Sequence, residues 1–396
     1  MNISHQPPSA ALVLQTLLTQ GPLTRAELGR RTGLSSGAVT KVSAPLLDDG
    51  WITELGLSGE RQPGRPATLV AVRPERARFI GVKVTADELI GMLVDLTAAP
   101  LATRRVPLRS RDVGTVVRTV ARLVRTLASG AEGGAEGETR PAVHSIGVTV
   151  AGDVDGAGGI VRYSPFLDWR GVGLAALVEE ATGIATAVEN DVRALTVAEQ
   201  WFGAGVGLSS FALVTVGAGV GCGMSVEGRV IAGAFGVSGE LGHLPVGGTD
   251  RVCTCGNTGC VEAVASTQAI VEQVQEQTGN TDLSLAGAVR LARSGDAAAR
   301  GVFTRAGRAL GLAIASVANL IGPERVIISG EGVATYDLFT EEIRRAFAEQ
   351  AFGAAARCEL VLRPLPFEAW ARGGAAIAAH RLFSPPSGRT TGAAGF

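Results

Sequence analysis

Three of the chain's five cysteines fall within the eight residues CTCGNTGC, 253–260. Thiols this close must pair, react or hold a metal. The wider segment GELGHLPVGGTDRVCTCGNTGCVE, 239–262, adds one imidazole. His243, Cys253, Cys255 and Cys260 then form a Cys₃His set, which suits closed tetrahedral zinc. Gly256 and Gly259 permit the tight turns needed to converge the thiols. Nearby carboxylates, and only three clustered thiols, speak against an iron–sulfur cluster. Four protein ligands leave no position for water. The expected Zn2+ is therefore structural, a staple for a loop without a core of its own. The plain alternative is a set of reduced thiols scattered along a loop.

Two carboxylates frame this segment, Glu240 just before His243 and Glu262 just after Cys260. Carried on a rigid metal loop, they would make good acceptors for sugar hydroxyls; otherwise they are solvated surface glutamates. Asn190 and Asp191 lie in AVENDVRALTVAEQWFG, at a strand-to-helix junction. An Asp there can cap the helix or take a proton from a sugar hydroxyl, and position alone leaves both open. The segment LVTVGAGVG carries glycines at 217, 219 and 221. Such a turn lets backbone N–H groups approach phosphate closely.

These residues need elements to hold them. A chain of 396 residues, 46% hydrophobic and 18% charged, has room for two or three domains with proper cores. No apolar run is long enough for a membrane span, and MNISHQPPSA lacks a signal-peptide pattern. We therefore expect a cytoplasmic protein with no membrane contact, whose thiols stay reduced. Net charge is −1, so any contact with nucleic acid must be a local patch. Only Lys41 and Lys83 are lysines, so arginine abundance by itself signals little.

The N-terminal 75 residues read as a winged helix-turn-helix. Residues 1–9 look disordered and 10–20 form an apolar helix. Thr24 and Glu27 make a capping box for a second helix that Gly33 can end. Ser35 can cap a third, SSGAVTKVSAPLLDDG. Residues 51–72 read as a hairpin with the tip ERQPGRP. Four cations in 21–45 against Glu27 give that stretch a net +3. Ser35, Ser36, Thr40 and Lys41 lie on the first turns of the third helix, the turns that enter a major groove. Arg61 and Arg65 on the wing tip would meet the backbone or an A·T-rich minor groove. Together these six are the candidate DNA contacts. A three-helix packing module is the competing reading. Pro45 inside the third helix would kink it or end it early.

From about residue 79 the pattern is α/β. Strands are expected at 79–84, 89–94, 104–108, 143–150, 211–216 and 325–330. Helices are expected at 112–129, 189–202, 261–277 and 297–320. The Gly- and Glu-rich stretch 129–141 reads as a surface loop. Sliding 79–95 onto 211–227 brings Phe79, Val82, Val84, Ala86, Gly91, Met92 and Val94 onto identical residues. This suggests a duplicated strand–turn–strand unit and a two-lobed body. The first turn, unlike the second, has no glycine and carries Asp87 and Glu88.

GELGH, CTCGNTGCVE, VENDVRAL and LVTVGAGVG together resemble the ROK family of repressors, open reading frames and sugar kinases. The resemblance covers most of residues 79–380. It implies an actin-like, ribonuclease-H-like body of two lobes that binds sugar. The N-terminal head resembles that of the family's sugar-responsive repressors, and its kinases lack one. By this resemblance Asn190, Asp191, Glu240, His243 and Glu262 are sugar contacts, and Asp191 matches the kinase base. The family's kinases carry D-x-G-G-T in the first phosphate turn, where this chain has Lys83, Val84, Thr85, Ala86 and Asp87. Where Ser329, Gly330 and Glu331 stand, a kinase is expected to show Gly-Gly. Phe166 stands where the family often has Asn.

The expected organisation is then a head at 1–75, one lobe at 76–190 completed by a helix near 371–383, a second lobe at 191–370 with the zinc loop, and a disordered tail at 384–396. The expected function is a sugar-responsive transcriptional regulator, a repressor of carbohydrate uptake or catabolism genes. Its partners would be operator DNA, a monosaccharide or derivative, and a second copy of itself. Enzymatic activity and ATP binding are not expected; a ROK sugar kinase with a fused DNA-binding head is the alternative.

Overall fold

The computed structural model describes residues 7–57, 68–130, 142–246 and 248–383. The wing tip with Arg61 and Arg65, most of the expected 129–141 loop and the 384–396 tail lie outside the described residues. Two compact units are present, 1–207 with 370–396, and 208–369.

The first unit opens with α1 (Pro8–Gln20), β1 (Leu23–Thr24), α2 (Arg25–Thr32) and α3 (Ser36–Asp48). The helix α1 starts at Pro8, inside the stretch expected to be disordered: Pro sits in its first turn, where the missing N–H costs nothing. Both halves of the Thr24–Glu27 capping box are made, and Gly33 closes α2 in the left-handed conformation. Ser35 caps α3 through the Ala38 N–H. α3 does not end early but continues past Pro45 to Asp48. Lys41 and Pro45 are both exposed, so the Lys41 carbonyl that Pro45 leaves without an amide partner can turn to water. The strands β2 (Ile52–Leu57) and β3 (Thr68–Val72) pair antiparallel, and β1 adds to β3. Leu14, Leu17, Leu28, Leu46, Ile52 and Val70 fill the core beneath.

The same unit continues with β4 (Arg78–Val84), β5 (Glu88–Asp95), β6 (Pro100–Pro107), α4 (Val113–Gly130) and β7 (Val143–Val150). A small sheet follows, β8 (Asp153–Asp155), β9 (Ile160–Ser164) and β10 (Trp169–Val172), then α5 (Leu174–Thr182), β11 (Thr186–Asn190) and α6 (Asp191–Phe202). The main sheet has the order β11-β7-β4-β5-β6. α4 buries Val116, Val120, Leu123 and Leu127 in the core on this sheet. It approaches so closely that a Cβ on Gly91 would collide with Leu123 and Leu127.

The second unit holds β12 (Phe211–Val216), β13 (Val220–Val226), β14 (Arg229–Val230), α7 (Glu262–Ala265), α8 (Thr267–Thr278), α9 (Leu285–Ser294), α10 (Ala297–Ile321), β15 (Arg325–Ser329), α11 (Thr340–Gln350) and β16 (Glu359–Leu362). The single helix expected at 261–277 is two. Ser266 leaves the helix and its hydroxyl caps α8 at Ala269. The sheet order is β14-β13-β12-β15-β16. It repeats the first: an antiparallel meander of three strands with two parallel strands added beside the first of them. α12 (Ala369–His380) then returns the chain to the first unit. It lies directly on β4 and β7, where a Cβ on Gly81 or Gly147 would overlap the carbonyls of Ala371 or Gly374.

The two hairpins differ from expectation in one respect. Val84 pairs with Leu89, but Val216 pairs with Val220. The first turn is one residue longer, so a fixed offset fails beyond it. Gly91 lies opposite Val82, whereas Gly223 lies opposite Leu213, the counterpart of Gly81. The identities at Gly91, Met92 and Val94 therefore compare opposite faces of the strands, and only those at Phe79, Val82 and Val84 are equivalent in register.

The expected boundary at 190/191 also differs from the structure. α6 belongs with the first unit. Asp191 bonds Lys83 on β4, and Arg193 bonds the Val154 carbonyl.

Candidate metal loop and sugar-binding residues

In the second unit the imidazole and three thiols converge. One donor atom from each of His243, Cys253, Cys255 and Cys260 lies within 4.8 Å of every other. Cys255 Sγ and Cys260 Sγ are 3.8 Å apart, and Cys253 Sγ is 3.6 Å from His243 Nδ1. Tetrahedral zinc with bonds of about 2.3 Å to sulfur and about 2.0 Å to nitrogen requires separations of roughly 3.5–3.8 Å. A disulfide needs sulfurs at about 2.05 Å, so none of these is paired. The loop is folded by its own backbone: Cys253 N–H donates to Asn257 O and Gly259 N–H to Arg251 O. Gly256 and Gly259 both take positive φ, as the expected turns required. The Asn257 amide lowers the Cys255 thiol pKa, while burial pushes Cys260 up to about 12. A bound dication would reverse that penalty by stabilising both thiolates. The donor set and its spacing fit zinc.

The carboxylates are tied to this loop. Glu240 Oε2 lies 3.9 Å from His243 Nε2, the ring nitrogen turned away from the thiols. That separation is beyond a direct hydrogen bond, and the Glu240 side chain is 58% exposed. Glu262 reaches in two directions. Its Oε1 accepts from Thr254 Oγ1 at 3.4 Å, and its Oε2 accepts the Val220 N–H at 3.0 Å. Glu262 thus links the cysteine loop to the glycine turn. On that turn's other side, Glu331 Oε1 accepts the Ala218 N–H at 3.3 Å.

In the first unit Asn190 and Asp191 share the start of α6. Asn190 is the cap: its Oδ1 accepts from the amides of Val192 and Arg193, and its Nδ2 donates to Gly152 O. Asp191 is thereby released from capping. Its Oδ1 accepts its neighbour's amide and its Oδ2 is in ion-pair contact with Lys83 Nζ. Both partners are buried, Lys83 at 6% and Asp191 at 7% exposure. The Lys83 ammonium also lies 5.4 Å from the Trp370 ring centroid. Phe166 is exposed. Neither the Lys83–Asp191 pair nor the Glu331 contact was visible in the local pattern. A lysine inside the apolar strand FIGVKV was the one available signal, because a buried ammonium needs a partner.

On the head, Ser35, Ser36, Thr40 and Lys41 are all exposed, along one side of α3 opposite buried Val39, Val42 and Leu46. Thr40 Oγ1 donates to Ser36 O at 3.0 Å.

Among known proteins, the ROK family model matches residues 79–381 and the MarR family model residues 7–55. A xylose repressor from Caldicellulosiruptor bescii is 25% identical over 354 residues, 86% of this chain and 87% of that protein. A ROK family transcriptional regulator described as a homolog of the E. coli MLC protein superposes with a TM-score of 0.80 at 28% identity, covering 94% of this chain and 96% of the other. A ROK family glucokinase from Streptomyces griseus, solved with glucose and AMPPNP, gives 0.64 at 27% identity and covers 77% of this chain and 100% of its own. Regulator and kinase thus share the body, and the regulator's match extends over more of this chain. With the model spanning the whole body, the chain belongs to the ROK family, behind a MarR-type winged-helix head.

Proposed function

We propose that this protein is a sugar-responsive DNA-binding transcriptional regulator, a repressor of carbohydrate uptake or catabolism genes. A monosaccharide or derivative releases it from its operator. The observation that carries this over phosphoryl transfer is the Lys83–Asp191 pair. A general base must be free to accept the hydroxyl proton. Here one carboxylate oxygen faces an ammonium and the other an amide. Asp191 can still accept a hydrogen bond from a sugar hydroxyl, but the oxygen that faces Lys83 is not free to take its proton. The head supports the same reading.

In this scheme Asn190, Asp191, Glu240, His243 and Glu262 hold the sugar. Zn2+ on His243, Cys253, Cys255 and Cys260 stiffens the loop that presents Glu240 and Glu262, and takes no part in chemistry. Ser35, Ser36, Thr40 and Lys41 read the major groove, with Arg61 and Arg65 on the flanking backbone. Two copies read a palindromic site whose half-sites lie about one helical turn, or ~34 Å, apart. Sugar shifts the population towards a state in which the heads no longer match that spacing. The protein works in the cytoplasm; no described helix is long and apolar enough to cross a membrane.

The test is fluorescence anisotropy of promoter DNA titrated with xylose, glucose and N-acetylglucosamine. One sugar should lower DNA affinity at least about tenfold, the lower range of a working allosteric coupling. The kinase reading is favoured by the placement of Asp191 and by the glucokinase match. ATP turnover with any of these sugars, abolished in Asp191→Asn, would establish it and overturn ours.

A further inference from the structure

The glycine turn Val216-Gly217-Ala218-Gly219-Val220 joins β12 to β13. Turns of this kind collect anions because successive N–H groups point one way. In this protein two such groups already meet carboxylates. Ala218 N–H donates to Glu331, and Val220 N–H to Glu262.

The Glu331 contact is built into the backbone. Gly330 follows β15 at φ +108°, and a Cβ there would strike the Val216 carbonyl. Gly332, on the far side of Glu331, packs against the same carbonyl. The two glycines thus press the chain against the first residue of the turn, and Glu331 emerges between them. Its carboxyl group lies where a side chain on Gly217 would be: a Cβ at 217 would come within 2.3 Å of the Glu331 carboxyl carbon. Gly217 therefore makes room for an anion, and Glu331 supplies one.

We propose that Glu331 is an internal ligand of this turn, a tethered carboxylate standing where a phosphate would be held, and that it keeps phosphoryl ligands such as nucleotides out. Two effects act together. A tethered group competes at an effective concentration on the order of millimolar or above. An incoming phosphate also meets a like charge at contact distance. This stands apart from the sugar-response reading, which uses neither Glu331 nor the Ala218 amide.

The test is isothermal titration of the full chain with magnesium–AMPPNP and with magnesium pyrophosphate. Wild type, Glu331→Gly and Glu331→Gln are compared. Thermal melts show which variants are folded, and Glu331→Gln, of matching size, serves if the glycine variant is not. Wild type should show no binding up to about millimolar ligand, while the folded variants gain affinity, Glu331→Gly on the order of a hundredfold. Wild-type binding as tight as that of the variants would overturn the proposal. So would folded variants that gain affinity for neither probe. Loss of sugar response in wild type would overturn the functional reading and leave this one standing.

Discussion

Replacing Lys83 by methionine tests the buried pair directly. Methionine keeps an unbranched, flexible side chain beside Trp370 and removes only the charge. Asp191 is 7% exposed, so its carboxylate would be left buried with a single amide from Val192. Removing one partner of a buried ion pair destabilises by about 3–5 kcal/mol. For a unit of this size each kcal/mol moves the midpoint by roughly 2–4 °C, giving a fall of roughly 6–20 °C. The two units can unfold separately, which would blur a calorimetric trace. The sequence offers a way round this. All four tryptophans, Trp51, Trp169, Trp201 and Trp370, lie in the first unit. Intrinsic tryptophan fluorescence therefore reports the unit that holds the pair. Adding Asp191→Asn to Lys83→Met should recover at least half of the loss, because no charge is then stranded. The cycle should give a coupling of at least about 2 kcal/mol. A Lys83→Met melt within about 1 °C of wild type, or a double variant no better than the single, would refute the reasoning.

Four further outcomes follow from the same geometry. Cys255→Ser should drop zinc from one ion per chain towards none by elemental analysis, and lower the far-ultraviolet melt of the second unit while the tryptophan signal is unchanged. Glu240→Gln removes a charge that is largely solvent-facing, so stability should hold while the sugar concentration needed for DNA release rises on the order of tenfold or more, as for a lost charged hydrogen bond. Lys41→Ala should weaken promoter binding by about 1–3 kcal/mol, weaken binding to an unrelated duplex much less, and relax specificity at the base pair it reads. Glu27 in the capping box has its carboxyl held below 4.5, chiefly by the Thr24 amide. A lowered folded-state pKa means its contribution is complete above the ordinary carboxylate range and fades as pH falls through the lowered value. Hydrogen-exchange protection factors at residues 25–32, referred to the intrinsic rate at each pH, should therefore fall below pH 4.5 in wild type, and that acid dependence should flatten in Glu27→Gln.

What was legible in the sequence was what is local. The thiols and His243 lie in one short segment, so their types and spacing declare a metal loop before any fold is known. Thr24 with Glu27, and Ser35 before a helical run, announce their helices because a cap acts only within one turn. Long-range partners carry no such mark. Lys83 meets Asp191 across 108 positions, and Glu331 meets Ala218 across 113. Nothing within reach of a periodicity argument connects them. Pro45 was misleading for the opposite reason. Its cost depends on whether the carbonyl it deprives is buried, and exposure is a tertiary property. The hairpin comparison found the repeated unit but lost its register beyond the turn: a single extra residue there is enough to exchange the two faces of the following strand.

The two unexpected contacts act on opposite needs of phosphoryl transfer. A base must be unprotonated and free, and Lys83 sets a cation against Asp191. A phosphate cradle must be open and electropositive, and Glu331 sets an anion against the glycine turn. Each contact is internal to one compact unit. Neither therefore requires a particular arrangement of the two units, and both persist in whatever states a sugar selects. On the reading proposed above, this separation is what a sensor needs. Its body can change conformation with sugar without reassembling a catalytic site in any of its states. If the contacts were side effects of packing alone, charge would not matter. Lys83→Met would then cost no more than a lost methylene, and Glu331→Gln would leave phosphate affinity where it was. Opposite results at both positions, in separate units and by separate assays, leave charge as the cause common to them.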